Sequence, residues 1–189
     1  MKIDGNAIRP GMVIEHQGRI WYAIKIQHTQ PGKGGAYLQV ELKDVRDGTK
    51  LNERFRSSEK VERVRLEQSE FQFLFSDGDM HTFMNGETYE QVTLSTEIVG
   101  ESNVPFLQDG MNVMIETFDE EPLGVELPAY VTLQVVEADA VVKGQTASSS
   151  FKPALLENGV KVLVPPFIES GTRIVVDTRD ASYVERAKD

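Results

Sequence analysis

Short runs of alternating apolar and polar residues, cut at close intervals by turn residues, recur along all 189 residues of this chain. "RIWYAIKIQ" sets Ile20, Tyr22, Ile24 and Ile26 on one face, and "AYLQVELKDV" does the same with Leu38, Val40 and Leu42. A period of two marks half-buried strands. Long helical periods are missing, which argues against a doubly wound nucleotide-binding fold. Asp47-Gly48, a tight-turn signal, leads into "LNERFR", so residues 12–64 read as a small antiparallel barrel. From Arg65 a meander follows: "EFQFLF", with Phe71, Phe73 and Phe75 on one face, then "SDGD", "MHTFM", "NGE" and "TYEQVTL". "STEIVGESNVPFLQDG" suits a short helix, and "MNVMIETF" pairs with "PLGVEL" across "DEEP". Beyond a boundary near Leu127-Pro128 lie the strands "YVTLQVVEA", "VKVLVP", "TRIVVDT" and "SYVERA". A long polar loop, "KGQTASSSFKPALLENG", separates the first two. No strict repeat is present, yet "GMVIE", "GMNVMIE", "GVKVLV" and "GTRIVV" share a form in which glycine opens a strand. The expectation is an all-β chain of three small barrels, divided as residues 1–64, 65–128 and 129–189.

Charge divides along the same lines. Residues 1–64 carry 12 Lys/Arg against 8 Asp/Glu, residues 65–128 carry 1 against 14, and residues 129–189 carry 7 against 8. The net charge of −10 argues against a generic nucleic-acid binder. The asymmetry suggests modules with different neighbours; the plain reading of the acidic middle is a solvated surface that keeps the protein soluble. Cysteine is absent, which excludes disulfides and thiolate metal sites and fits a reducing compartment. The polar start "MKIDGNAIRPG" does not resemble a signal peptide, and no apolar run approaches the roughly 20 residues that span a bilayer. The expected setting is cytoplasmic, with no membrane partner.

Enzymatic chemistry finds little support. No serine sits in a nucleophile-elbow pattern, and His16, His28 and His81 lack metal-ligand spacing. Asp77, Asp79 and His81 are explained by a hairpin turn without a metal. Phe71, Phe73 and Phe75 could stack bases, but spacing of two equally defines a buried strand face. No cofactor is expected.

"QHTQPGKGGAY" is the stretch that composition does not explain. Its Gly-Lys pair lacks the spacing and the following Ser/Thr of a phosphate-binding P-loop. Gly32, Gly34 and Gly35 strip the loop of side chains, Pro31 stiffens its approach, and Lys33 stands alone as a compact charge on a flexible stem. Alone, the stretch fits both an ordinary solvated hairpin tip and a slim protrusion made to enter a narrow space.

The segment "KPALLENGVKVLVPPFIESGTRIVVDTRDASYVER", residues 152–186, strongly resembles the carboxy-terminal signature of the bacterial elongation factor P family. "PGKGGA" resembles that family's modification loop, and "FMNGETYEQ" its middle domain. The resemblance spans essentially the whole chain in the right order. It implies an L-shaped, tRNA-like protein, an SH3-like (KOW-type) barrel followed by two OB-fold barrels, acting as a monomer. It also implies a non-enzymatic factor that binds the ribosome, both RNA and protein, between the peptidyl and exit tRNA sites and relieves stalling at consecutive prolines. Carried over, Pro31, Gly32, Lys33, Gly34 and Gly35 form the loop that enters the peptidyl-transferase centre, with Lys33 the position a modifying enzyme extends. Relatives differ between lysine-based additions and an arginine-linked sugar, and Lys33 excludes only the latter. Gly144, Gln145 and Thr146 match the loop that approaches the exit-site codon of the mRNA, although many relatives carry Asp where Gln145 stands. Tyr183 and Arg186 match residues that meet the peptidyl-tRNA near its elbow. A generic OB-type nucleic-acid binder and a small barrel enzyme are the competing readings.

Overall fold

Strand after strand forms where the period of two predicts one. The computed structural model describes residues 1–140 and 150–188. The first sheet uses β1 (Lys2–Asp4), β2 (Val13–His16), β3 (Arg19–Thr29), β4 (Tyr37–Asp44), β5 (Lys50–Arg56) and β6 (Lys60–Val64), ordered β1-β6-β2-β3-β4-β5. The second uses β7 (Glu67–Asp77), β8 (Met80–Asn85), β9 (Gln91–Ser95), β10 (Asn112–Phe118) and β11 (Glu121–Glu126), ordered β11-β10-β7-β8-β9. The third uses β12 (Tyr130–Ala138), β13 (Lys152–Leu156), β14 (Lys161–Val164), β15 (Arg173–Asp177) and β16 (Ser182–Arg186), ordered β14-β13-β12-β15-β16. The expected short helix is a single turn, α1 (Thr96–Val99), followed by a 3₁₀ turn at Val104–Phe106; they bury Val99 and Phe106. By contacts the chain forms two compact units: Met1–Glu67 with Thr117–Leu123, and Gln68–Glu116 with Gly124–Asp189. One apolar cluster, built on Ile14, Trp21, Leu38 and Phe55, fills the first, and a second runs through Phe73, Phe83, Ile115, Val135 and Ile174.

One backbone device is used three times. Turns at residues 9–12, 108–111 and 169–172 close with Met12, Met111 and Thr172 donating their N–H to Arg9 O (3.1 Å), Gln108 O (2.9 Å) and Glu169 O (3.1 Å). The third residue of each turn is a glycine at positive φ: Gly11 at 90°, Gly110 at 80° and Gly171 at 90°. That is the position where a type II turn requires it. Each glycine then donates its N–H to a long-strand residue: Gly11 to Ala23 O (2.8 Å), Gly110 to Phe73 O (3.0 Å), Gly171 to Val135 O (2.7 Å). The same three residues donate back to Met12 O (2.9 Å), Met111 O (2.8 Å) and Thr172 O (2.8 Å). In every case the gripped residue immediately precedes a β-bulge, whose extra residue is Ile24, Leu74 or Val136. Gly159, the fourth glycine of the shared sequence form, instead closes the β13–β14 hairpin, donating to Leu156 O at 2.9 Å.

The bulges correct two sequence expectations. An extra residue reverses which side chains face the core. Phe71 and Phe73 are buried, but Phe75, beyond the bulge at Leu74, is 53% exposed. On β3 the buried residues are Trp21, at 2% exposure, and Ala23, while Ile20, Tyr22 and Ile24 are half-buried. Only after the bulge does Ile26 pack against the core. Trp21 also satisfies its indole, with Nε1 donating to His16 O at 2.9 Å. A third correction concerns "KGQTASSSFKPALLENG", whose latter part is β13 rather than loop. Ala154 and Leu156 are buried, and Pro153 pairs opposite Leu163; proline and polar flanks had hidden this strand.

These placements give an expected outcome in urea denaturation. Phe73→Ala lowers stability by about 3–5 kcal/mol, whereas Phe75→Ala changes it by about 0.5 kcal/mol or less. Gly171→Ala costs about 1–2 kcal/mol because its φ of 90° is unfavourable for alanine.

Candidate functional site

β3 and β4 stay paired out to Thr29 and Tyr37, so residues 30–36 project from the end of a long two-stranded ribbon. The base of this loop is fixed from the neighbouring strand connection. Ala36 O accepts hydrogen bonds from Ser57 N at 3.2 Å and Ser57 Oγ at 3.0 Å. Beside it the Arg54 guanidinium lies 4.2 Å above the Tyr37 ring, a cation–π contact that stiffens the ribbon and places a second cation near the loop. Pro31 is half-buried, and residues 32–36 are exposed.

The loop's glycines serve different needs. Gly34, at φ 115°, has a backbone that side chains disfavour. Gly32 and Gly35 have ordinary φ, and a Cβ added to either would meet nothing within 4 Å. Neither is required by the fold of this chain. Their lack of side chains makes the tip thin toward whatever surrounds it. Lys33 sits between them, exposed, with no hydrogen bond, ion pair or ring contact among the described residues. The structure thus brings Pro31, Gly32, Lys33, Gly34 and Gly35 together as a bare tip with one free ammonium. No local sequence signal marks the support from Ser57 and Arg54, which lie about twenty residues away and meet the loop only through strand pairing.

Tyr183 and Arg186 lie on the edge strand β16. Three-residue spacing would put them on opposite faces of a regular strand. A bulge at Val184 changes that: Tyr183 pairs with Val176 and Arg186 with Ile174, two residues of one face. Tyr183 is half-buried and meets Phe151 edge-on, with centroids 6.4 Å apart and planes at 87°. Arg186 is exposed. Gly144, Gln145 and Thr146 lie outside the described residues.

The other candidates have local explanations. His81 is 1% exposed and held between Ser76 Oγ (2.6 Å) and Thr96 Oγ1 (2.8 Å). His16 meets Glu53 at 3.0 Å, and that hydrogen bond holds the Glu53 carboxyl below its ordinary range. Among the described residues no three acidic or histidine side chains gather as a metal site, and no helix is long and apolar enough to cross a membrane.

Comparison with known proteins covers the same ground. Three family models match in succession: the elongation factor P KOW-like domain at residues 4–61, the elongation factor P OB domain at 66–125, and the elongation factor P C-terminal domain at 131–186. An elongation factor P from Zymomonas mobilis is 61% identical over 187 residues, covering 99% of this chain and all of the relative. One from a Chelativorans species is 62% identical with the same coverage. Among solved structures, a translation initiation factor 5A from Methanococcus jannaschii superposes with a TM-score of 0.54 at 24% identity, covering 68% of this chain and 92% of that one; the likeness is one of fold.

The turn that leads into Tyr183 carries a pH-dependent clamp. Asp177 accepts from Arg179 N (2.9 Å), Nε (2.9 Å) and Nη2 (2.6 Å), and these bonds lower its pKa to about 2. A depressed carboxylate pKa contributes stability above the unfolded-state value, and that contribution is lost as pH falls from about 4 through about 2. Asp177→Asn is expected to remove this part of the acid sensitivity, as read from thermal melts across that range.

Proposed function

This chain belongs to the elongation factor P family and is a translation elongation factor, not an enzyme, and we propose that it binds the ribosome between the peptidyl and exit tRNA sites and speeds peptide-bond formation at consecutive prolines. The observation that carries this reading is the bare tip at residues 30–36, with Lys33 unpartnered at its end. Proline's ring limits the geometries in which it reacts, so the obstacle is one of orientation. Holding a reactant in line contributes rate without any catalytic group on the factor itself. A thin loop can enter the crowded reaction centre, and one ammonium there can meet the phosphates and riboses at the end of the peptidyl-tRNA. The ribosome supplies the centre where the bond forms.

The exposed amine of Lys33 is also open to a modifying enzyme, and an added group would lengthen the arm. At residues 129–189, Tyr183 offers a ring and Arg186 a guanidinium to the peptidyl-tRNA near its elbow, while Gly144, Gln145 and Thr146 would approach the exit-site codon. Division at residues 64 and 128 gives each module its own neighbour: the basic first one faces RNA. The protein acts as a cytoplasmic monomer without a cofactor.

Lys33→Ala is expected to melt with the parent protein and to lose rescue of a polyproline reporter by about tenfold or more; normal rescue would refute the loop assignment. Arg186→Ala should weaken ribosome-dependent stimulation, and an unchanged rate would remove Arg186 from the interface.

A further inference from the structure

The turn between β8 and β9 holds an aromatic side chain out of the protein at a conformational cost. Tyr89 is 71% exposed, and its φ is 59°. That is the left-handed region, where a bulky side chain is an outlier. The period of two reads "TYEQVTL" as strand throughout, but β9 begins only at Gln91. The turn is built to impose the conformation. Asn85 Oδ1 accepts from Glu87 N (2.8 Å) and Thr88 N (3.1 Å), and Tyr89 N donates to Asn85 O at 3.0 Å. Asn85 N closes the turn on Glu90 O at 2.8 Å, and Gly86 N ties it to Glu70 O at 3.0 Å. The Tyr89 ring touches no other ring or cation among the described residues. Strain held by so many bonds, on a side chain that makes no hydrogen bond or ring contact among the described residues, is of the kind kept at recognition sites.

We propose that Tyr89 is a preset anchor that docks this module on a basic protein surface of the ribosome. A rigid tyrosine with an apolar ring and a polar tip is among the side chains that dominate interfaces. Charge decides the class of partner. Glu87 and Glu90 flank Tyr89, both exposed, and residues 65–128 carry one cation against 14 acids. Such a surface repels RNA phosphate and complements lysine and arginine on a protein. The inference rests on the ribosome-binding reading above.

Two experiments test it, both on the full-length protein. Tyr89→Gly and Tyr89→Asn relieve the strain, so both should melt at or above the parent temperature. Their affinity for purified ribosomes should nonetheless fall about tenfold or more, with Tyr89→Phe close to the parent. A clear drop in melting temperature would make Tyr89 a folding residue and overturn the proposal, as would unchanged affinity. In the second experiment, a benzophenone amino acid at position 89 is photolysed on the ribosome. An adduct with a basic ribosomal protein is expected; an adduct with RNA, or none, overturns the proposal. If the unaltered protein fails to bind ribosomes, the ribosome-binding reading fails instead.

Discussion

Three bulges, each gripped by a pair of backbone hydrogen bonds from a glycine turn, decide which side chains this chain buries and which it presents. A bulge leaves one residue out of the ladder, and unpaired backbone groups are costly when buried. The turns at residues 9–12, 108–111 and 169–172 supply one donor and one acceptor to Ala23, Phe73 and Val135, the residues just before Ile24, Leu74 and Val136, so the backbone at the edge of each bulge stays paired. Ala, Phe and Val share little as side chains, so the grip works through the backbone alone. In the first sheet the gripping strand β2 precedes its target β3, while in the others β10 and β15 follow β7 and β12. The device is therefore a matter of geometry and does not depend on chain order.

This explains what the sequence did and did not disclose. Strand existence was legible because Leu38, Val40 and Leu42 alternate without interruption and are all fully buried. The glycine-opened strands were legible as a form, and three of the four perform the same task. Facing was not legible wherever a bulge intervened: Phe75 reads as a continuation of Phe71 and Phe73 until Leu74 drops out of register. Ile20 and Tyr22 outweigh Ala23 in any apolar count, yet Trp21 and Ala23 take the core. β13 was hidden because Pro153 signals loop locally, while the strand is specified by partners on both sides.

The loop at residues 30–36 was the most legible part of the candidate site, because proline, glycine and a single lysine act through local chemistry. Its support was not legible, since Ser57 and Arg54 reach it only through tertiary pairing. The same holds for Tyr183 and Arg186. Their spacing of three argues against a shared face, and only the bulge at Val184 puts them on one. Phe151, the ring against Tyr183, lies more than thirty residues away and left no signal.

The arrangement suits the proposed task, in which the protein orients a reactant and leaves bond formation to the ribosome. Such a task needs a stiff ribbon, a narrow end and a charge that no internal partner competes for. Each need has a separate structural cause. Pairing to Thr29 and Tyr37, with Ala36 O fixed by Ser57, supplies the stiffness. Gly32 and Gly35 supply the narrowness, since nothing inside the protein calls for them. The unpartnered, exposed Lys33 supplies the charge. An acid near the tip would cancel this by forming an ion pair that binding must break. Residues 27–40 contain no Asp or Glu, so the strand ends that carry the tip offer Lys33 no acidic partner.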